Sequence, residues 1–335
     1  MLRSEKRINN MKNNKVVILF NKLSENPQAD ELDVLTQVNL VADTLKELGY
    51  VISEVPFSFN INEAIKQIKE IDPCFVFNLV ESIDNKGELC YISPAILNYL
   101  QIPYSGVHLE GMFITTNKLL TKINLKSNGI PTADWIELNE LKKIDPSVRY
   151  ILKPIWEDAS IGLDFDSVFH GDDKVYIEKL KNVDRNKFFI EKYIEGREFN
   201  ISVIGGKNGP EVMPHAEMQF INFPEDKPKI LGYSAKWVED TFEHERTKRT
   251  FLFNENDKVL LDKLSEICLQ CWKVFNLRGY VRIDFRVDNE NNPYVLEVNA
   301  NPCLSPDGGL YAAIQQKGYS FKQVMEKVIE DVFIQ

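Results

Sequence analysis

The sequence predicts an α/β protein in three parts: an N-terminal parallel-sheet domain, a small central α+β domain and a C-terminal α+β domain. Three observations lead there. The first hundred residues alternate compact apolar runs with amphipathic stretches, the signature of a parallel sheet covered by helices. The middle holds short elements of mixed character. The stretch Arg278–Pro302 carries two segments of period two joined by turn residues. At 335 residues the chain exceeds one typical core. Boundaries are expected near 112 and 196, giving parts 1–112, 113–196 and 197–335.

Taken in order, residues 1–14 read as a polar leader and Val16–Phe20 as a buried strand. A helix should follow with Leu32, Leu35, Val38, Val41, Leu45 and Leu48 on one stripe, stopped at Gly49. A strand near Tyr50–Val55, a helix on Ile61, Ile65, Ile68 and Ile71, and a strand Cys74–Leu79 complete the alternation. A helix through Ile96, Leu97 and Leu100 and the segment IPYSG close the first part. Thr115–Asn128 reads as one helix with Leu119, Leu120 and Ile123 inward. Tyr150–Lys153, a helix near Lys174–Lys181 and Phe188–Tyr193 make up the centre. Strands Asn200–Ile204 and Glu211–His215, a helix over 255–276 and a last amphipathic helix on Phe321, Val324, Val328 and Ile329 fill the remainder. Glu239–Arg249 reads as a solvated, mobile loop.

Composition narrows the function. The net charge of −10 argues against a nucleic-acid partner, though not against a local basic cleft for a small anion. No secretory signal and no apolar run of membrane-spanning length is readable. Five scattered cysteines suit a reducing cytoplasm, and the C-x-x-C of Cys268 and Cys271 lies in a helical apolar pattern that points to core packing.

The chemistry concentrates in RGYVRIDFRVDNENNPYVLEVNANP. Val281, Ile283, Phe285 and Val287 alternate with Arg282, Asp284 and Arg286; Tyr294, Leu296 and Val298 alternate with Val295, Glu297 and Asn299. Pairing Val287 with Tyr294 puts Asp284 opposite Glu297 and Arg282 opposite Asn299. Like charges directly opposite destabilise a sheet, so a divalent cation resting on Asp284, Glu297 and Asn299 explains this face better than solvent alone. Lys153 ends an apolar strand before the loop Ile155–Gly162, and Lys118 sits in TNKLLTK; a lysine beside a small-residue loop suits a phosphate. In EKYIEGRE, Glu191 and Glu198 are carboxylates able to accept from an amino group and a ribose hydroxyl.

The ordered set Lys118, Lys153-Pro, Ser160-x-Gly162, Glu191 to Glu198, Arg282-x-Asp284 and Glu297-x-Asn299 closely resembles the ATP-grasp fold, and more narrowly the D-alanine–D-alanine ligase family. The resemblance covers nearly the whole chain. It implies an N-terminal Rossmann-like domain ahead of a two-part ATP-grasp unit. It also implies ATP with Mg²⁺ (or Mn²⁺) as cofactors, amino-acid or peptide-like small substrates, no nucleic acid, no membrane, and a homodimer. By the same resemblance Lys118 and Lys153 would hold phosphates under a lid carrying Ser160. Glu191, Lys192 and Ile194 would line the adenine site and Glu198 would meet the ribose. Asp284, Glu297 and Asn299 would ligate metal, and Arg282 would stabilise the transferring group. The implied reaction joins a carboxylate to an amine: the acid attacks the γ-phosphate, the amine attacks the acyl phosphate, and phosphate leaves.

Departures from the family gather in the substrate half. Glu81-Ser82 stands where that family usually has His-Gly, and Pro302-Cys303 where it has Pro-Gly. The lid reads Asp158-Ala159-Ser160, and Glu31 would be the residue for the first substrate. Tyr233 and Lys236 would close over the site, and Ser305 would belong to an amino-acid pocket. A substrate other than two D-alanines is therefore expected, with an ATP-grasp phosphotransferase or a non-catalytic ATP-binding protein as alternatives.

Overall fold

A computed structural model of the chain describes residues 13–156, 163–225, 227–238 and 240–334. Ser160, most of the expected lid and nearly all of the polar leader lie outside the described residues. Three sheets organise the rest. The first contains β1 (Lys15–Asn21), α1 (Ala29–Glu47), β2 (Val51–Phe57), α2 (Ile61–Ile71) and β3 (Phe75–Leu79), its strands parallel in the order β2-β1-β3. Strand β1 is buried along nearly its whole length, which is why VVILF is an unbroken apolar run. On α1 the buried stripe is Val34, Val38, Val41 and Leu45, whereas Leu32 and Leu35 are 46% and 38% exposed. Counting from Val34 at 100° per residue puts Leu32 on the far side and Leu35 on the flank, so the expected stripe was rotated.

After α3 (Ile92–Leu100), the single helix expected over Thr115–Asn128 is two: α4 (Leu109–Thr116) and α5 (Lys118–Ser127). Asn117 separates them with extended backbone (φ −88°, ψ 105°), and its side-chain oxygen accepts from Leu120 N at 2.9 Å. Asparagine offers the backbone this alternative wherever the next helix needs a cap. The break resets the inward face. Lys118, Thr121, Lys122 and Leu125 are buried, and Ile123 is 51% exposed.

The second sheet is antiparallel, in the order β4-β7-β5-β6. It comprises β4 (Trp135–Glu137), β5 (Arg149–Pro154), β6 (Val168–His170) and β7 (Phe188–Lys192), with α6 (Lys174–Leu180) in the connection. The third has six strands. β8 (Arg197–Ile204) and β10 (Ala216–Phe220) lie beside one another, with the short β9 (Glu211–Val212) also on β8. Next come α7 (Tyr233–Trp237), α8 (Phe242–Arg246), β11 (Thr247–Thr250), α9 (Lys258–Val274), β12 (Tyr280–Val287), β13 (Pro293–Asn299), α10 (Gly309–Lys317) and α11 (Phe321–Val332). The expected loop Glu239–Arg249 thus contains a short helix and part of an edge strand, with Lys248 paired to Gln219.

Helix α11 begins at Ser320, whose hydroxyl accepts from Gln323 N. Its Val324, Met325 and Val328 enter the same core as Val16, Ile18, Phe75 and Phe77 of the first sheet. Each such burial stabilises by about 1.5–3 kcal/mol, so the last helix fastens the first sheet to the third. The segment IPYSG is tied to the start of β12 as well: Arg278 donates to Gly106 O at 2.7 Å and to Tyr104 O. Gly279 (φ +69°) lies against Gly106, where an added Cβ would meet backbone at 3.0 Å. Among the described residues no helix is long and apolar enough to cross a membrane.

Candidate active site

On β12, Val281, Ile283 and Phe285 are fully buried, so Arg282, Asp284 and Arg286 share the opposite face. The pairing with β13 differs from the expected one at its far end. Val287 lies opposite Pro293 and Arg286 opposite Tyr294; a bulge at Asp284/Phe285 then absorbs Leu296, leaving Asp284 opposite Glu297 and Arg282 opposite Asn299. The functional register is thus the expected one, reached through a one-residue irregularity. Strand β8 extends the rows: Ser202 beside Arg282, Asn200 beside Asp284 and Glu198 beside Arg286. Residues directly opposite share a face, so one surface carries three ordered rungs of polar groups.

Contacts within the rungs are charged. Arg282 grips Asp284 with two hydrogen bonds, Nε to Oδ1 at 2.7 Å and Nη2 to Oδ2 at 2.8 Å, and lies 3.7 Å from Glu297. Lys118 approaches Glu297 from α5 at 3.8 Å. Burial pushes the Glu297 carboxyl up, but Lys118, Lys236 and Arg282 outweigh it and hold it at about 2. For Asp284 burial prevails over Arg282, and its carboxyl is raised. The Asn299 side-chain oxygen accepts from Asn301 N at 3.0 Å and keeps a second lone pair.

Across the cleft, the second sheet supplies Lys153 and Glu191, which pair at 2.6 Å. Glu191 is 1% exposed and also pairs with Lys122 at 2.7 Å, so two lysines hold its carboxylate. Further along, Glu198 pairs with Arg286 at 3.1 Å, and burial raises its carboxyl despite Arg286. Arg286 donates also to Gly196 O at 3.2 Å and to Lys229 O, tying that loop down. Gly196 (φ +140°) is where a Cβ would strike Val287 O, so the EGR turn needs glycine. Lys118, Lys153, Glu191, Ile194, Glu198, Lys236, Asp284 and Glu297 all line one open cleft, whose enclosed part is only about 80 Å³. Ile151, Tyr193, Ile230 and Leu296 add an apolar wall.

Other expected residues sit elsewhere. Lys192 is exposed, because its side chain alternates away from the cleft between Glu191 and Tyr193. Glu31 is buried, and it accepts from Ser24 N, Ser24 Oγ and Gln28 N, closing the loop before α1. Burial raises its carboxyl, but those hydrogen bonds outweigh it and hold it low. Ser305 is fully buried and donates to Asp33, so its hydroxyl braces a loop. Glu81 accepts from Gln37 at 3.0 Å. Tyr233 is outside the residues that line the cavity; its backbone N–H donates to Leu163 O at 3.2 Å. Sequence reasoning passed over Lys122 and Arg286. Both were reachable, since Lys122 is one turn beyond Lys118 and Arg286 stands two alternations beyond Arg282.

The donor set suits a magnesium–nucleotide complex. Among the described residues no cluster of three or more His, Cys, Asp and Glu side chains has metal-binding geometry. A cation at Asp284, Glu297 and Asn299 would need oxygens from its ligand, as Mg²⁺ does when it rides on phosphates.

Comparison with known proteins agrees. A family model described as the D-ala D-ala ligase C-terminus matches residues 125–330. The D-alanine–D-alanine ligase of Aquifex aeolicus is 28% identical over 295 residues, covering 86% of this chain and 92% of that protein. The enzyme of the same name from Carboxydothermus hydrogenoformans is 29% identical over 299 residues, 85% and 88% of the two chains. Among solved structures, D-alanine–D-alanine ligase from Bacillus anthracis complexed with ATP superposes with a TM-score of 0.71 at 21% identity, over 95% of this chain and 97% of that one. D-alanyl-alanine synthetase A from Vibrio cholerae gives 0.69 at 14% identity, over 95% and 98%. With an ATP-grasp architecture and a family match spanning more than half its length, the chain belongs to the D-alanine–D-alanine ligase family and is an ATP-dependent, ADP-forming ligase that uses Mg²⁺.

Proposed function

We propose that the chain joins two amino acids, or an amino acid and a small peptide-like acid, and that the acid substrate is not D-alanine alone. The observation that carries the nucleotide half of this reading is that the rungs Asp284–Glu297 and Arg286–Glu198 line one cavity with Lys118 and Lys153, with the rung Arg282–Asn299 next along the same sheet face. Lys118, Lys153 and Lys236 would bind the phosphates, and Glu198, oriented by Arg286, would accept from the ribose. Asp284, Glu297 and Asn299 would hold Mg²⁺, which when bound neutralises phosphate oxygens. Arg282 would release Asp284 and turn to the charge that builds on the transferring group. Glu191, with its carboxylate held by two lysines, would shape the adenine end through its backbone and its neighbours Tyr193 and Ile194.

The substrate half supports a changed acid. Asp33 and Glu81 stand at the carboxyl end of the first sheet with Gln37 donating to both, at 3.1 and 3.0 Å. Cys303 donates to Asp33 at 3.0 Å. Two carboxylates there favour a substrate that carries a cationic group beyond its reacting carboxylate. The free cysteines and the need for ATP support a cytoplasmic setting. The test is phosphate release with ATP and Mg²⁺ over a panel of single and paired amino acids and dipeptides. Turnover with pairs that include a basic residue is expected. Strong turnover on D-alanine alone contradicts the changed-acid reading.

A further inference from the structure

We infer that Lys122 is a positioning residue for ATP: by sharing the carboxylate of Glu191, it leaves the charge of Lys153 available to a phosphate.

Lys122 is fully buried on the inward face of α5, one turn past Lys118. Its ammonium meets Glu191 at 2.7 Å and donates to Thr132 Oγ1 and Ala133 O, both at 2.8 Å, with the Trp135 ring 5.5 Å away. Its two hydrogen bonds and its ion pair are thus all made inside the protein, and it does not line the cavity. Lys153, in contrast, is held among the described residues by its hydrogen bond to Glu191 at 2.6 Å, and it lines the cavity. Burying an ammonium costs several kcal/mol unless it is paired, so a lysine kept here without touching the ligand calls for a reason.

Charge counting supplies one. Lys122, Glu191 and Lys153 together carry two positive charges against one negative. Remove Lys122, and Lys153 becomes the sole partner of a buried carboxylate. A phosphate would then compete for Lys153 against an anion with no other counter-charge. With Lys122 in place, Glu191 stays compensated when Lys153 turns to the cleft. Burial pulls Lys122 down and Glu191 opposes it; burial raises Glu191, and the two lysines outweigh it. The carboxylate is thus the ionised centre of the trio.

The inference rests on the reading that Lys153 meets phosphate, and the experiment separates the two. Binding of ATP and of adenosine is measured by calorimetry for the wild type, Lys153→Ala, Lys122→Gln, Glu191→Gln and the double variant Lys122→Gln/Glu191→Gln. Glutamine at 122 removes the charge and keeps an amide N–H₂ as donor, on a side chain one bond shorter. Expected is a loss of ATP affinity relative to adenosine of roughly tenfold or more in Lys122→Gln, the scale of one charged hydrogen bond, with recovery in the double variant. A purely structural role would weaken both ligands together and would not be rescued by removing Glu191. An unchanged ratio in Lys122→Gln alongside a reduced one in Lys153→Ala overturns the inference, as does failure of the double variant to recover. No change in Lys153→Ala overturns the phosphate reading itself. Should Lys122→Gln not fold, Glu191→Gln decides: its ATP-to-adenosine ratio should rise, and a fall overturns the inference.

Discussion

The cleft face of the third sheet and the carboxyl end of the first sheet are both polar, yet they are built in different ways. On the cleft face, cation pairs with anion: Arg282 holds Asp284 at 2.7 and 2.8 Å, Arg286 lies 3.1 Å from Glu198, and Lys153 rests on a carboxylate that a second lysine also meets. At the end of the first sheet the groups satisfy one another directly, through Gln37 to Asp33 and Glu81, Leu304 N to Gln37, and Cys303 and Ser305 to Asp33. The first arrangement is poised for a charged ligand with its own cation. The second is a hydrogen-bonded network centred on Gln37 and Asp33, outside the residues that line the nucleotide cleft. That separation would let one half keep the family's chemistry while the other takes a different acid, as proposed above.

The largest expected effect breaks the first half. Glu297→Ala removes one of the two carboxylates and leaves Lys118 facing Arg282 across the gap, so turnover should fall by on the order of 10²–10³-fold or more. A steady-state ADP assay checks it. An intermediate effect separates the halves. Gln37→Leu strands the buried N–H of Leu304 and should cost about 1–3 kcal/mol of stability. It should raise the KM of the acid substrate and leave that of ATP unchanged, as thermal melts and two-substrate kinetics would reveal. Equal effects on both KM values would mean that the halves are not separable. The smallest effect concerns Cys303. Burial pushes its thiol up, with Glu81 and Asp33 adding to it, so it stays protonated at pH 8. Alkylation at Cys303, followed by mass spectrometry, should be slower than for a free cysteine; fast labelling would show the network to be open.

Much of this was legible in the sequence because two strong periodicities wrote it. Alternation in VRIDFRV fixed which side chains share a face, and the pairing of Asp284 with Glu297 followed from it. Even so, the premise of Val287 opposite Tyr294 was off by one residue, and the bulge at Leu296 restored the register. Bulges leave little trace in a single sequence, since they depend on the twist of the neighbouring strand. Helix faces were harder. On α5 the obvious leucines and Ile123 drew attention, while the buried face carries Lys118 and Lys122. A lysine counts as polar in any periodicity argument, and only the carboxylate of Glu191, sixty-nine residues downstream, makes its burial sensible. Glu31 and Ser305 illustrate the same limit. Their residue types suit a substrate, but the preceding loop occupies the Glu31 carboxylate and distant Asp33 takes the Ser305 hydroxyl.

The most direct test of the central claim is Mn²⁺ binding, followed by its electron paramagnetic signal, with ADP present, in wild type and Glu297→Ala. The account predicts tight Mn²⁺ binding that depends on nucleotide in the wild type, and a loss of roughly tenfold or more in the variant. Equal Mn²⁺ affinity in the two proteins would contradict it.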